Sequence, residues 1–312
     1  MITFVGDILL AGGVGRVASS KGTEHLFAGV SDSLRADDLT IGNLECAFAA
    51  RGTRAKKQFA FCASPALLPG LRKSGIDAVS LANNHSLDYG RAALLETIRN
   101  LRRAGLRAAG AGASLYVAGR PVILRAGQQR VAFVAASRVL PSGGWRAAPN
   151  RPGIFPAYDP GPLIAAIRAV RPNLNAVVVY LHWGRERAIR PYAYQRILAR
   201  QCIDAGADVV VGAHTHVLQG FEYYRGRLIA YSLGNFVFTD QRNASAMLRV
   251  TFRGGKVQKS AVVPCRILRF RPQVINDRAD RRRAFRALEA RSFGVRISED
   301  GVLSARDSSR RS

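Results

Sequence analysis

An α/β fold with largely buried sheets is what this sequence predicts, and three observations predict it. Apolar runs of strand length alternate with amphipathic runs of helical period along most of the 312 residues. The strand-like runs are continuous rather than alternating, as in Ala176-Val177-Val178-Val179-Tyr180-Leu181, which is the pattern of strands covered on both faces. Polar groups also fall just past the C-terminal ends of these runs, the edge at which open α/β sheets bind ligands.

Residues 2–6 are the first apolar run, ended by Gly6-Asp7 and a glycine-rich stretch, Ala11-Gly12-Gly13-Val14-Gly15. Residues 22–35 predict a helix, and 38–42 a short strand leading into Asn43-Leu44-Glu45. Leucines at helical spacing over 65–73 predict a helix closed by Gly75. Residues 77–81 predict the next strand, followed by the loop Ala82-Asn83-Asn84-His85. Residues 91–104 predict an amphipathic helix closed by Gly105. A hairpin is expected around Gly127, from strands over 121–125 and 130–136, and then a Pro/Gly-rich connection over 141–161. A helix over 162–170 feeds a strand over 176–181 that ends in His182-Trp183-Gly184. A helix over 191–205 then leads to a strand over 208–211 and to Gly212-Ala213-His214-Thr215-His216. Short strands near 228–233, 246–253 and 256–263 complete the sheets. The expected division is a main domain over 1–265 and a basic, peripheral extension over 266–312 with one helix near 278–291.

Composition narrows the class. With 48% hydrophobic residues the chain can bury a sizeable core. No stretch approaches the roughly 18 apolar residues of a membrane helix, and an apolar strand stands where a charged leader would be. The expectation is a cytoplasmic protein with no signal peptide or membrane anchor. The four cysteines form no C-x-x-C pair, which predicts reduced, mostly buried thiols. The formal charge of +26 comes from arginines spread along the chain, without a dense block interleaved with aromatics. That pattern suits an anionic substrate and predicts no specific nucleic acid.

The strand-end residues carry the chemistry. Asp7, Glu45, Asn84, His182 and His214 each follow an apolar run, and three of the five histidines share this location with His85. On extended chain the pair His214-x-His216 faces one way with Cα atoms roughly 6.5–7 Å apart. Imidazoles so placed reach two ions, which lie about 3.5–4 Å apart in two-metal sites, with Gly212 letting the backbone turn both rings inward. Imidazole, carboxylate and amide oxygen suit one or two divalent ions such as zinc, manganese or iron and do not choose among them. Glu45 has two oxygens with which to bridge ions. Asn84 adds a neutral oxygen that keeps the site receptive to an anion. Asn83-Asn84-His85 also reads as a turn, with Asn83 as a candidate substrate contact.

In order along the chain, Gly6-Asp7, Asn43-Leu44-Glu45, Ala82-Asn83-Asn84-His85, His182-Trp183-Gly184, Gly212-Ala213-His214-Thr215-His216 and Ser232-Leu233-Gly234-Asn235-Phe236 resemble the signature set of the CapA capsule-synthesis family. Members of that family take part in poly-γ-glutamate production, and the family is similar in fold to the calcineurin-like metallophosphatases. The resemblance covers residues 2 to about 240. It implies a metallophosphatase-like sandwich of two mixed β-sheets flanked by helices. It further implies that Asp7 and His216 bind one metal, that Glu45 bridges, and that Asn84, His182 and His214 bind the second. His85 falls where a histidine contacts substrate and protonates the leaving group. Leu9 stands where metallophosphatases usually carry a histidine, which leaves the first metal one ligand short, so that it binds weakly, recruits Asp88 or water, or is absent. Ser232 to Phe236 reads as a strand and tight turn shaping the pocket wall.

Three functions follow from these residues. The first is a metal-dependent hydrolase attacking a phosphoester or amide of an anionic substrate, with His85 as proton donor. The second is a non-hydrolytic component of polyglutamate synthesis or export, whose basic surface binds the polyanion and whose partners are capsule-synthesis proteins. The third is a metal-dependent peptide epimerase.

Overall fold

Along the strand Ile2–Ile8, Ile2 and Phe4 join one apolar cluster while Val5 and Ile8 join another. A pleated strand sends successive side chains to opposite faces, so both faces of this one need a cover. The computed structural model, which describes residues 1–239 and 244–306, shows what provides it. One face meets a second sheet, and the other meets helices.

In spatial order the first sheet runs Arg271–Val274, Lys256–Leu268, Ala244–Arg253, Ile2–Ile8, Leu39–Leu44, Ala78–Ser80 and Arg107–Ala109. Asn235–Val237 pairs with Ile2–Ile8 beside that path. The second sheet runs Phe221–Tyr224, Arg227–Ala230, Val209–Ala213, Ala176–His182, Gln129–Ser137 and Val122–Ala126. Both are mixed. Ile2–Ile8 is parallel to Leu39–Leu44 and antiparallel to Ala244–Arg253, while Ala176–His182 has parallel neighbours on both sides.

Between the sheets lie Phe4, Ile41, Phe133, Val178, Val211 and Leu248. Helices Gly12–Lys21, Leu68–Lys73 and Gly90–Arg103 place Val14, Leu71 and Leu101 over the outer face of the first sheet. Helices Gly161–Val170 and Ala193–Asp204 place Ile167 and Leu198 over that of the second. The result is the expected sandwich of two mixed sheets flanked by helices. Each large apolar side chain fully buried in it contributes about 1.5–3 kcal/mol. The Tyr180 hydroxyl donates to the Val5 carbonyl at 2.6 Å and ties the two sheets together two residues below His182 and Asp7. At the opposite end of the second sheet, buried Asp208 is held by Arg171, Arg227 and the Val177 amide. Two cations and a backbone donor offset the cost of taking that carboxylate out of water.

Three segments differ from expectation. The helix expected over 22–35 is two short ones, Thr23–Phe27 and Ser31–Arg35. Gly29 lies between them, and a Cβ there would meet the Pro272 carbonyl at 2.8 Å, so the edge strand crosses where the helix would continue. The glycine-rich stretch starts the helix Gly12–Lys21, because Val14 and Ala18 are buried and outweigh the poor helix propensity of glycine. The boundary expected at 265/266 falls inside the strand Lys256–Leu268. Residues beyond it are not peripheral: Phe285, Leu288, Val295 and Leu303 pack into the core between the sheets. Residues 307–312 of the expected extension lie outside the described residues. All four cysteines are free. Among the described residues, no helix is long and apolar enough to cross a membrane.

Candidate metal centre

The C-terminal ends of strands from both sheets meet at one rim. Asp7 is the penultimate residue of the first strand, with Asn43 beside it in register on one flank and Asn235 on the other. Glu45 follows the strand Leu39–Leu44, and its amide donates to the Ile8 carbonyl at 2.8 Å. Asn84 and His85 follow Ala78–Ser80, His182 ends Ala176–His182, and His214 and His216 follow Val209–Ala213. Close backbone approach makes this convergence possible. A Cβ at Gly6 would overlap the Gly234 carbonyl, and one at Gly212 would overlap the Tyr231 carbonyl and the Trp183 indole.

Six of the expected ligands are brought together. Asn43 donates to Asp7 Oδ1 at 2.8 Å and also to Glu45 Oε2, so one amide spaces the two carboxylates. His182 Nε2 lies 2.8 Å from Asn84 Oδ1 and 3.7 Å from Glu45 Oε1. The His182 and His214 rings are 4.6 Å apart, and those of His214 and His216 are 5.9 Å apart. His216 Nδ1 lies 3.1 Å from Asp7 Oδ2 and 2.9 Å from Asn235 Oδ1. One ligand atom each from Glu45, His182 and His214 lie within 4.8 Å of one another. The histidine pair does not reach inward on extended chain as the spacing predicts. His214 and His216 have φ of 90° and 57°, the left-handed region that non-glycine residues enter only when their surroundings impose it. Gly212 stays within its strand and serves close packing, not the turn.

Whether the donors fit a cation is tested by what they lack. Glu45 Oε1 and Nδ1 of both His182 and His214 are buried and have no hydrogen-bond partner among the described residues, while the His216 ring faces Asp7 Oδ2. Such atoms cost the folded state about 1–3 kcal/mol each. A divalent ion is the ligand that satisfies carboxylate and neutral imidazole together, and the residues fit it. Burial first, then the neighbouring histidines, push His182 well below its usual value, and the same causes bring His214 down to about 3. Both rings are therefore neutral and carry free lone pairs. Burial and then the Asp7 charge raise Glu45 well above the ordinary carboxylate value. For His216, burial acts downward but is outweighed by Asp7, Glu45 and Asn235, which bring it up to about 9. A cation entering here must displace the His216 proton. Affinity is therefore expected to rise with pH up to about 9, by up to ~10-fold per unit, because ligands bind only deprotonated. Calorimetry in buffers of different ionisation enthalpy checks this; no proton release at about pH 7.5 would contradict it.

The remaining candidates divide. His85 Nδ1 lies 2.7 Å from Asp88 Oδ2, which leaves Nε2 as its free nitrogen, and its ring packs 4.7 Å from Phe61. Burial holds the ring below its usual value, with Asp88 opposing. Asp88 is not available as a makeshift ligand. Its oxygens are taken by Lys57 Nζ at 2.6 Å, by the Phe61 amide at 2.6 Å and by His85. Asn83, expected to contact substrate, is buried. Its amide donates to Asn43 Oδ1 and the Leu44 carbonyl and accepts from the His85 amide and Ser86 Oγ.

Lys57, Asn43 and Asn235 were missed as site residues. Lys57 reaches the Asn84 carbonyl at 2.6 Å from a loop with no periodic pattern to mark it. Asn43 had a signal in its place between a strand and Glu45. Asn235 opens a strand paired with the first, so Ser232–Phe236 supplies a polar contact to His216 in addition to a wall.

Comparison with known proteins places the chain in a family. A family model described as bacterial capsule synthesis protein PGA_cap matches residues 1–240. The capsule biosynthesis protein CapA of Bacillus anthracis is 31% identical over 298 residues, covering 92% of this chain and 72% of that protein. The PGA biosynthesis protein CapA of Bacillus subtilis (strain 168) is 35% identical over 242 residues, covering 76% of this chain and 62% of that protein. Among solved structures, a hypothetical protein from Thermus thermophilus superposes with a TM-score of 0.53 at 18% identity, covering 85% of this chain and 98% of that one. A novel phosphatase from Mycoplasma pneumoniae gives a TM-score of 0.53 at 12% identity, covering 85% and 92%. These two likenesses concern the fold alone. Matched by the family model over three quarters of its length and by CapA proteins at more than 30% identity, this chain belongs to the bacterial capsule synthesis PGA_cap family.

Proposed function

We propose that the chain is a metal-dependent hydrolase of capsule or poly-γ-glutamate biosynthesis, acting on a phosphoester or amide of an anionic substrate. The observation that carries this reading is the gathering at one rim of buried, unpartnered donor atoms on Glu45, His182 and His214, beside the Asp7–His216 pair and a histidine–aspartate pair. Glu45, Asn84, His182 and His214 would hold one ion, and Asp7 and His216 a second. A divalent ion so held supplies Lewis acidity, which polarises a substrate oxygen and acidifies water. The protein's own groups do the rest. Asp88 accepts the His85 Nδ1 hydrogen and fixes the tautomer, so that Nε2 is the atom that takes up the proton released by the attacking water and passes it to the departing group. Lys57 pairs with Asp88 Oδ1 and lies 3.3 Å from His85 Nδ1. Arg138 donates its amide to the His182 carbonyl, and its guanidinium lies 4.3 Å from the Tyr194 ring centroid, which holds a cation at the same sheet edge for an anionic substrate.

Metal removal tests the reading. Chelated and dialysed protein is expected to lose at least ~100-fold in turnover of small phosphoesters or γ-glutamyl amides and to regain it on adding manganese or zinc. Full turnover by metal-free protein would reject it. The charge of +26 favours one other reading, a polyanion-binding component without catalysis. Salt-sensitive binding of polyglutamate with no product, in metal-loaded protein, would decide for it.

A further inference from the structure

A second group of donors overlaps the buried triad without coinciding with it. One ligand atom each from Glu186, His214 and His216 lie within 4.8 Å of one another. Glu186 is exposed, whereas His214 is buried and its Nδ1 has no hydrogen-bond partner among the described residues. We infer that Glu186 is a metal ligand, completing with His216 an outer cation position next to the one held by Glu45 and His182. This rests on the metal-dependent reading above.

The backbone accounts for its placement. Residues 184–188 turn back on the histidine segment, with Gly184 at φ 89° and Arg187 at φ 68°. The Arg187 amide donates to the Thr215 carbonyl at 2.8 Å, between the two histidines, and Gln219 Nε2 donates to the Ala188 carbonyl at 2.9 Å. A Cβ at Gly184 would meet Thr215 Cγ2 at 2.7 Å, so glycine is what lets the turn close on that segment. A left-handed arginine is strained, and these contacts hold it there. Glu186 thus sits beside the imidazoles because its loop is clamped to theirs.

Donor supply points the same way. Leu9, two residues after Asp7, is packed in the apolar cluster with Phe236 and Val237, so the first strand brings only Asp7 to this end of the site. Asp88 is fully engaged elsewhere. In a chain with 47 lysines and arginines against 21 acids, no described basic side chain forms an ion pair with Glu186. One of its carboxylate oxygens lies within 4.8 Å of a nitrogen of each of two imidazoles. Imidazole and carboxylate together suit a borderline divalent ion, and exposure on the Glu186 side leaves that ion within reach of substrate.

Titration of metal-stripped full-length protein with Mn2+ tests the inference, with bound metal counted by elemental analysis and its spin state read by electron paramagnetic resonance. Wild type is expected to bind two ions with a spin-coupled signal. Glu186→Gln is expected to keep one ion at unchanged affinity, weaken the other by more than ~100-fold, and show only a single-ion signal. Glu186→Asp should recover part of that loss. The deficit should persist in about 1 M salt, where the screening length is about 3 Å and an effect of charge alone would vanish. If Glu186→Gln titrates like wild type, or its deficit disappears at high salt, this inference falls while the metal-dependent reading stands. If wild type binds no Mn2+, both fall. Glu186 is exposed, so unchanged thermal unfolding of the metal-free variant confirms that the fold is intact.

Discussion

Glu45→Gln is expected to eliminate the buried ion and to lower turnover by about 10²–10³-fold or more. Glu45 joins both halves of the site: one oxygen is tied through Asn43 to Asp7, and the other is unpartnered and lies 3.7 Å from His182 Nε2. Glutamine keeps the shape and replaces the charged donor by a neutral one. Loss of a mere supporting contact costs about 10–100-fold in metal affinity, so loss of the central donor should exceed that. The stability of metal-free protein should move the other way. Burial and Asp7 raise the folded-state pKa of Glu45, so the folded form holds its proton where the unfolded form has lost it. Stability of the metal-free wild type therefore falls as pH rises from about 4.5 through the raised value, and the glutamine variant lacks that slope. Thermal unfolding with and without metal separates the effects. A variant that is destabilised without metal and binds metal normally would show that Glu45 serves packing alone.

His85→Asn should lower turnover by about 10²–10⁴-fold, the range of general acid catalysis, while metal stoichiometry stays at the wild-type value. Its Nδ1 is spent on Asp88, and it sits behind Asn84 without belonging to the buried donor triad. The loss should appear in kcat with little change in KM, as for a group that acts only in the transition state. It should also shrink for substrates with good leaving groups, which need little protonation. Asp88→Asn should fall in the same direction by less, since it disturbs the tautomer and leaves the ring in place. Equal losses for good and poor leaving groups would count against the proton-donor role.

The core strands and the strand-end candidate residues were legible because both follow local rules. A buried strand of a parallel sheet announces itself as an unbroken apolar run, and the polar residue that follows is placed at the sheet edge by chain direction alone. The shared rim position of Asp7, Glu45, His182 and His214 was therefore readable from order along the chain. What local rules do not carry was missed. Lys57, in a loop, meets Asp88 31 positions further along the chain. Glu186 is brought to His216 by a turn whose left-handed arginine no propensity predicts. The histidine pair was placed correctly with the wrong conformation, because spacing alone assumes extended chain. The basic tail looked detached because arginines dominate its helix, yet Phe285 and Leu288 at helical spacing, with Val295 and Leu303 beyond, are enough to anchor it in the core.

Anomalous X-ray scattering from crystals soaked in Mn2+ tests most directly whether these scattered side chains grip an ion. The expected result is a peak about 2.0–2.2 Å from a Glu45 oxygen and from imidazole nitrogens of His182 and His214. A map with manganese bound elsewhere and nothing among those three residues would contradict it.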